Sequence, residues 1–137
     1  MTSASVFPVL NATAMVAWLA LILVPRRRWS TTILPIAVPV LLGVVYVVLI
    51  ALSLPGSDGG FSSLAGVRAL FVDPRALLAG WTHYLAFDLF IGGWQARDAQ
   101  DRGIPHLLIV PALVLTFLFG PAGLLLYLAI QTFASKR

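Results

Sequence analysis

The residues best suited to acid–base chemistry lie close together in one apolar segment, Gly80–Gln95. This segment contains His83, Tyr84 and Asp88. A carboxyl group in apolar surroundings keeps its proton more readily than in water and can act as a general acid, whereas a neutral imidazole can accept a proton. We therefore predict His83, Tyr84 and Asp88 as the candidate catalytic residues.

The helical spacing of these residues decides which of them can pair directly. His83 and Asp88 are five residues apart, which places them about 140° apart around a helix, so they are not expected to contact each other. Tyr84 lies one turn before Asp88, and we predict a hydrogen bond from its hydroxyl to the carboxylate. His83 must then find its partner on another helix, the first or the fourth.

Asp88 is also the only charged residue inside any predicted membrane span. A carboxylate at the centre of a bilayer costs about 2.5–3.5 kcal/mol on insertion scales. It must therefore face the protein interior, pair with a donor or hold a proton. Because a purely structural role is an expensive use of such a residue, the pattern favours a functional role for Asp88.

The scarcity of charge indicates that much of this chain is surrounded by lipid. Nine basic and five acidic residues are present among 137, and 60% of the residues are apolar. About a quarter of the residues of a soluble domain are charged, so a helical membrane protein is the expected class. Cysteine is absent, which excludes disulfides, thiolate metal sites and a cysteine nucleophile.

Four stretches with little or no charge are long enough for a membrane helix, which needs about 20 apolar residues. They cover, approximately, residues 6–24, 33–54, 77–95 and 107–133. We therefore predict an all-α integral membrane four-helix bundle that forms a single domain over residues 1–137. Between the second and third helices, Phe61–Phe71 repeats apolar residues near helical spacing. A short interfacial helix or a loop that follows the membrane surface would both suit this segment.

The basic residues predict the orientation in the membrane. Five of the nine lie in the loops after the first and third helices, and Arg26–Arg28 directly follow the first helix. Because basic loops stay in the cytoplasm, we expect a multi-pass protein of the cytoplasmic membrane with both termini outside the cytoplasm. The chain begins directly at its first helix, without a plastid leader, which favours a bacterial origin. Basic residues at helix ends indicate membrane lipid, and not nucleic acid, as the partner.

Aromatic and polar residues at membrane depth could line a cavity for an apolar ligand. On the third helix, Phe87, Phe90 and Trp94 share the face of His83. The other helices contribute Asn11, Tyr46 and Tyr127. We predict these six residues, without His83, as substrate-binding. The alternative is that the tyrosines pack between helices and that Trp94 belongs to the interfacial aromatic belt.

Two blocks of the sequence have a distinctive pattern. Trp81–Gly92 contains His-x-x-x-x-Asp-Leu-Phe, and Phe119–Leu125 reads Phe-Gly-Pro-x-Gly-Leu-Leu. Together they resemble the abscisic-acid-deficient-four-like family of small four-helix membrane proteins, whose plant members are associated with neoxanthin synthesis. The motif positions that the resemblance marks are His83, Asp88, Leu89 and Phe90 on the third helix, with Gly120, Pro121 and Gly123 as a turn motif of the fourth.

The resemblance implies a catalytic hypothesis. The protein would be an isomerase that acts in the bilayer on a carotenoid-like or other apolar polyene, opening an epoxide and removing a proton to form an allene. In this reaction Asp88 would be the acid, His83 the base and Tyr84 the donor that orients the reacting group. No redox motif or phosphate-binding glycine loop is present in the sequence, so we expect a reaction without a cofactor. His83, Asp88 and His106 are too dispersed for a metal site, and none is predicted.

The alternative function is not catalytic. The protein would bind carotenoid or lipid, or assemble with another membrane enzyme, and Asp88 and His83 would stabilise helix packing. A transporter is a further alternative, but four short helices would form a pathway only as an oligomer. An oligomer is compatible with each of these functions.

Overall fold

The computed structural model describes residues 2–55 and 57–134. Within these ranges every regular element is a helix, which confirms the predicted all-α class. The helices are, in chain order, α1 (Ser3–Leu23), α2 (Leu34–Ser53), α3 (Leu64–Leu70), α4 (Pro74–Asp101), α5 (His106–Phe119) and α6 (Pro121–Ala134).

Two long apolar helices begin the chain and are joined by a short basic turn. A π-helical turn, Trp29–Ile33, leads into α2, and the combined helix has 25 residues. The segments Ser3–Leu23 and Trp29–Ser53 are long and apolar enough to cross a bilayer, and no other described helix meets the same criterion. The predicted four-span bundle is therefore not confirmed, because length and composition support two of its four spans.

The helix α4 is the element against which α1, α2, α5 and α6 all pack. It has 28 residues and extends beyond the predicted span 77–95 at both ends. Asp73 caps its amino end by accepting the backbone N–H of Arg75 at 2.8 Å, and Pro74 occupies the first turn. This N–H and the Arg75 guanidinium hold the pKa of Asp73 below its usual value. After the carboxyl end, Gly103 turns the chain with a φ of 68°, which glycine adopts without strain.

Glycines allow α1 and α2 to approach α4 closely. A Cβ at Gly92 would overlap the indole of Trp18 in α1, and a Cβ at Gly93 would overlap the ring of Pro35 in α2. Both Trp18 and Pro35 are fully buried. Close approach increases van der Waals contact, a main source of helix association in lipid. This side of α4 therefore forms the packed core of the protein.

The fourth predicted span, 107–133, is not a single helix. It divides at Gly120 into α5 and α6, which pack against each other. A Cβ at Gly123 of α6 would overlap the backbone of Thr116 in α5. Farther from the turn, Leu108 of α5 and Ile130 of α6 line the same cavity of about 800 Å³. The two helices therefore form an antiparallel hairpin, which corrects the predicted continuous span.

The residues at the turn explain why the helix breaks there. Gly120 leaves the helical conformation, with φ 18° and ψ −82°, and Pro121, which has no backbone N–H to donate to α5, fits the first turn of a new helix. The prediction of one span relied on an unbroken apolar run, which indicates length but not direction. Each helix of the hairpin has 14 residues. At about 21 Å, such a helix is shorter than the roughly 30 Å hydrocarbon core of a bilayer.

The connection between α2 and α4 contains a short helix, one of the two alternatives that the sequence left open. Its cap is Ser63, whose hydroxyl accepts the backbone N–H of Gly66 at 3.0 Å. The first residue of the helix, Leu64, is 86% exposed. The helix α3 therefore forms, and its position at a membrane interface stays a prediction.

Candidate functional site

The candidate site is centred where the turn of the hairpin meets α4. A Cβ at Gly120 would lie 2.5 Å from Oδ1 of Asp88, so only glycine leaves room for this approach. The carboxyl group lies beside both the carboxyl end of α5 and the amino end of α6. We call this region the tip site, and it consists of Tyr84, Asp88, Phe117, Leu118 and Gly120.

One oxygen of Asp88 has no hydrogen-bond partner. Its Oδ2 is buried and makes no hydrogen bond within the described residues. Buried polar groups are normally paired, because leaving one unpaired costs about 1–3 kcal/mol. A carboxyl group that is retained at this cost is a candidate for chemistry and contributes little to the stability of the fold.

Tyr84 stabilises the other side of the tip site. Its hydroxyl lies 2.7 Å from the carbonyl oxygen of Phe117, to which it donates, and 2.9 Å from that of Leu118. The last four carbonyls of a helix have no donor within the helix, so the phenol satisfies the carboxyl end of α5. The hydroxyl therefore donates to the backbone of the hairpin in place of the predicted bond to Asp88.

His83 lies on a different face of α4 from Asp88, as its spacing predicted. Its ring stacks on Phe87 with centroids 4.5 Å apart, and it lies 5.7 Å from the ring of Tyr46 in α2. Phe87 is 59% exposed and Phe90 is 46% exposed, so this surface points away from the core. We call His83, Phe87, Phe90 and Tyr46 the aromatic face. No hydrogen bond or ion pair within the described residues joins His83 to Asp88.

The hairpin covers only part of α4. Its turn lies beside Asp88, whereas α4 begins at Pro74, about 21 Å farther along the helix axis. Leu118 and Phe119 at the turn are exposed and apolar. The hairpin therefore leaves the stretch of α4 from Pro74 to Tyr84 largely uncovered. We call the space beside this stretch the notch, with Tyr84 on its wall and Asp88 next to the turn. The aromatic face lies next to this notch on the same helix.

Asn11 connects α1 to the wall of the notch. Its Oδ1 accepts a hydrogen bond from Nε1 of Trp81 at 3.0 Å, and its amide nitrogen donates to the carbonyl of Phe7 at 2.8 Å. The ring of Trp81 in turn lies 5.2 Å from that of Tyr84. The structure therefore places Asn11 close to the tip site, although it does not contact Asp88 through a hydrogen bond.

The other predicted binding residues, Trp94 and Tyr127, belong to a second polar region at the open end of the hairpin. Tyr127 is buried, packs edge-on against Trp94 at 5.4 Å and donates to Oδ2 of Asp98 at 2.5 Å. The same oxygen accepts hydrogen bonds from Nε2 of Gln131 and from Nε of Arg102, both at 2.7 Å. We call Asp98, Arg102, Tyr127 and Gln131 the base cluster.

Sequence reasoning missed the base cluster because it assigned Asp98 to a loop. The spacing of Asp98 and Arg102, four residues apart, is a helical ion-pair signal that would have extended α4. A second missed contact joins the buried side chains of Gln95 and Thr116, whose Nε2 and Oγ1 atoms are 3.0 Å apart. No sequence signal predicted this pair, because it depends on the hairpin.

The comparison with protein families identifies this chain. Residues 5–127 match the family model described as ABA DEFICIENT 4-like. The chain belongs to the ABA DEFICIENT 4-like family. This finding confirms the resemblance that the two sequence blocks indicated. No curated protein and no solved structure matches the chain.

In this ABA DEFICIENT 4-like chain, the two blocks that carry the resemblance meet in space. Trp81–Gly92 lies on α4, and Phe119–Leu125 forms the turn of the hairpin and the start of α6. Their point of contact is the approach of Gly120 to Asp88. Asp88 and Gly120 of the two motifs thus meet at the tip site, whereas His83 and Phe90 lie on the aromatic face.

The structure also shows where His83, Asp88 and His106 lie, the residues that the sequence analysis considered for a metal site. Among the residues that the structure describes, no group of three or more His, Cys, Asp or Glu side chains is placed to hold a metal ion. His106 begins α5, where its Nε2 lies 2.9 Å from the carbonyl oxygen of Ile22. It is therefore at the open end of the hairpin, away from Asp88.

Proposed function

We propose that this ABA DEFICIENT 4-like protein is an integral membrane protein in which α1, α2 and α4 cross the bilayer and the hairpin enters it from one side. The length and apolar composition of α1 and α2 support the first two crossings. Large apolar side chains are also exposed on the hairpin, among them Leu118, Phe119 and Leu125. Soluble monomers rarely expose apolar surface of this extent, whereas lipid accommodates it without cost.

The same arrangement supports an orientation. One end of the molecule brings together Arg26–Arg28, the carboxyl end of α4 and the open end of the hairpin. Two contacts show this, because His106 lies against the carbonyl of Ile22 and Gln100 donates to the carbonyl of Pro25. Basic residues next to the first helix favour a cytoplasmic position for this end, and a bacterial cytoplasmic membrane is the proposed location. Because a re-entrant hairpin adds no crossing, Ala134 lies on the cytoplasmic side, whereas the sequence predicted the opposite side.

For the activity, we propose a cofactor-free isomerase that acts on a carotenoid-like or other apolar polyene from the bilayer. The observation that carries this proposal is the buried Oδ2 of Asp88, which has no hydrogen-bond partner among the described residues and lies where the turn of the hairpin meets α4. An apolar chain can reach the notch without leaving the membrane. Membership in the ABA DEFICIENT 4-like family supports the same class of function.

The proposed chemistry is a pair of balanced proton transfers. Protonated Asp88 gives its proton to the epoxide oxygen while a carbon–oxygen bond breaks, and a base takes a carbon-bound proton as the new double bond forms. Product and substrate then have the same composition. His83 is the proposed base, with the adjoining aromatic face holding the polyene along α4. Transfer of the proton from His83 back to Asp88, through the substrate hydroxyl or water, restores the starting state.

The second candidate is a non-catalytic carotenoid- or lipid-binding protein that holds its ligand or presents it to another membrane enzyme. The separation of His83 and Asp88 on different faces of α4 favours this candidate, because an isomerase needs both groups to reach one substrate. The exposed rings of Phe87 and Phe90 provide the apolar surface that binding alone requires.

Pigment analysis in a carotenoid-producing bacterial host decides between the two. Extracts from cells with the wild-type chain are compared by chromatography with extracts from cells that carry Asp88→Asn or His83→Ala. Loss of a general acid or base lowers a rate by about 100-fold to 10,000-fold, so the isomerase predicts that the new pigment disappears in both variants. Asp101→Asn, an exposed carboxylate on the same helix, is the matched control and retains the product.

Two outcomes contradict the isomerase. An unchanged pigment profile in either variant, with the protein present in the membrane at wild-type level, removes the assigned role of that residue. Wild-type protein that co-purifies with carotenoid but changes no pigment supports the binding protein.

A further inference from the structure

A large cavity lies at the end of the molecule opposite the notch, where α1 ends and α5 begins. Its volume is about 970 Å³. It is bordered by the turn after α1, the last turns of α4 and the first turn of α5. Its lining combines arginines with apolar side chains such as Ile104 and Leu107. No step of the proposed isomerase uses this cavity, which we call the basic cavity.

The backbone acceptors around the basic cavity already have donors. The carbonyl of Ile22 lies 2.9 Å from Nε2 of His106, and the carbonyl of Pro25 accepts Nε2 of Gln100 at 2.6 Å. The carbonyl of Val24 accepts the hydroxyl of Ser30. The carboxyl end of α1 therefore presents few free acceptors to a ligand, and its negative character is partly neutralised.

The groups that remain free at the basic cavity are cationic or donors. The guanidinium groups of Arg26 and Arg27 make no ion pair and no hydrogen bond within the described residues, whereas Arg102 is paired with Asp98. The amino end of α5 has Pro105 at its cap and no side-chain cap. Within the described residues the N–H groups of His106 and Leu107 have no partner, whereas that of Leu108 donates to the carbonyl of Pro105 at 3.0 Å. No acidic residue belongs to the described lining. The cavity is therefore suited to an anion.

The position of the basic cavity restricts the kind of anion. Arg26 follows α1 by three residues, and a helix of 21 residues, about 31 Å long, is sufficient to cross the hydrocarbon core. With α1 crossing the bilayer as proposed above, the arginines lie at the depth of the lipid head groups, while Leu23 and Leu107 beside them are exposed and apolar. A ligand with a phosphate at one end and an acyl chain at the other matches both parts of this surface.

We propose that the basic cavity binds the phosphate head group of an anionic phospholipid, with Arg26 and Arg27 as its cationic ligands and the first turn of α5 as a backbone donor site. The apolar rim receives the beginning of an acyl chain. The bound lipid fixes the end of α1 to the open end of the hairpin. This binding does not depend on the isomerase being correct, since no residue of the tip site takes part.

Native mass spectrometry of the purified full-length chain in detergent tests the proposal without any influence of membrane orientation. The probes are dioleoyl phosphatidylglycerol, dioleoyl phosphatidylcholine and inorganic phosphate. We expect one phosphatidylglycerol to bind in preference to phosphatidylcholine. The double variant Arg26→Gln/Arg27→Gln weakens that binding about 30-fold, as expected for the loss of two cationic contacts.

The matched control is Arg28→Gln/Arg68→Gln, which removes the same charge. Arg28 faces a different depression, formed with Thr32 and Ile36, and Arg68 lies on α3. This control keeps wild-type binding if the basic cavity is the site. Equal weakening in both double variants shows a general effect of net charge and overturns the proposal. Binding of inorganic phosphate as tight as that of phosphatidylglycerol overturns the assignment to a lipid.

A second measurement on the wild-type protein covers the case in which the double variant does not fold. Phenylglyoxal modifies accessible arginines, and peptide mapping measures the extent at each one. Phosphatidylglycerol is expected to protect Arg26 and Arg27 at least several-fold more than Arg68. Equal protection of all three arginines, or none, contradicts the proposed site.

Discussion

Two carboxyl groups on the same helix, Asp88 and Asp98, have opposite surroundings. Asp98 in the base cluster accepts three hydrogen bonds on one oxygen, from Arg102, Tyr127 and Gln131. Asp88 in the tip site has a buried oxygen that finds no partner in the part of the chain that the structure describes. The two groups lie ten residues apart, at opposite ends of the same hairpin.

The difference separates two roles that a carboxyl group can have on one helix. Asp98 joins α4 to α6 through bonds that are already complete, so it has little capacity left for a ligand. Burial of Asp88 lowers the stability of the fold, and its unpaired oxygen is the kind of group that acid–base chemistry requires. The base cluster anchors the hairpin, and this anchoring determines where its turn meets Asp88.

The largest expected effect is a difference in the side of the membrane from which residues of the hairpin can be labelled. The chain has no cysteine, so single cysteines can be labelled with a membrane-impermeant thiol reagent. We expect Thr132→Cys to react only from the side on which Arg28→Cys reacts, and Ser63→Cys only from the other side. Leu118→Cys at the turn is expected to react from neither side.

Labelling of Thr132→Cys from the side of Ser63→Cys would mean that 107–133 crosses the membrane as one span. Asp88 and Asp98 would then not lie at the two ends of a helical hairpin, and the contrast between the tip site and the base cluster would not hold. Reaction of Leu118→Cys with the charged reagent would place the turn, and with it Asp88, in water.

The apolar pattern of the sequence predicted much of the fold. Uncharged runs located α1, α2 and the middle of α4, and the spacing of apolar residues in Phe61–Phe71 suggested α3. The hairpin was missed because 107–133 contains no charge, and a run of apolar residues has the same composition whether it crosses the membrane or turns back. Gly120 and Pro121 were the available signal for a turn.

The candidate site was predicted less completely than the fold. Helical spacing placed His83 and Asp88 on different faces of α4, which the structure repeats. The partners of Tyr84 and Asp98 could not be predicted, because both depend on side chains or carbonyls of the hairpin. Contacts between segments distant in sequence depend on how the helices are arranged. When one span is predicted with the wrong path, none of the contacts that its residues make can be predicted.

The next largest effect is expected where the two hairpin helices touch. A side chain at Gly123 would overlap the backbone of Thr116, which cannot move without separating α5 from α6. We expect Gly123→Val to lower the free energy of unfolding by about 3 kcal/mol, the upper end for overpacking. Unfolding in mixed micelles, followed by circular dichroism, measures the change.

Gly43→Ala is the matched control, because a Cβ at this position meets nothing within 4 Å. Alanine is favoured over glycine inside a helix by about 0.5–1 kcal/mol, so this variant is expected to be at least as stable as the wild type. A Gly123→Val protein of wild-type stability would show that α5 and α6 are not packed as described.

An intermediate effect compares the two carboxyl groups directly through matched amide substitutions. Asp98→Asn weakens three hydrogen bonds in a partly exposed cluster, and we expect a loss of about 2 kcal/mol in the free energy of unfolding. Asp88→Asn removes a carboxyl group whose Oδ2 has no partner, and we expect no loss of stability. Thermal unfolding of both proteins in one detergent checks the difference.

Equal losses in the two variants would contradict the assignment of structure to the base cluster and chemistry to the tip site. A reversed order would mean that Asp88 has a partner that matters for folding. The pigment assay completes the comparison, since a stable Asp88→Asn protein without product combines an intact fold with lost chemistry.

The smallest effect is expected at the hydroxyl of Tyr84, which ties the wall of the notch to the hairpin. Tyr84→Phe leaves the carbonyls of Phe117 and Leu118 without their donor where no water replaces it, and we expect a loss of about 1 kcal/mol. Tyr46→Phe is the control, because the Tyr46 hydroxyl makes no hydrogen bond within the described residues. If both phenylalanine variants unfold at the same denaturant concentration, the end of α5 does not depend on this bond. The tip would then be held in place by the base cluster and helix packing alone.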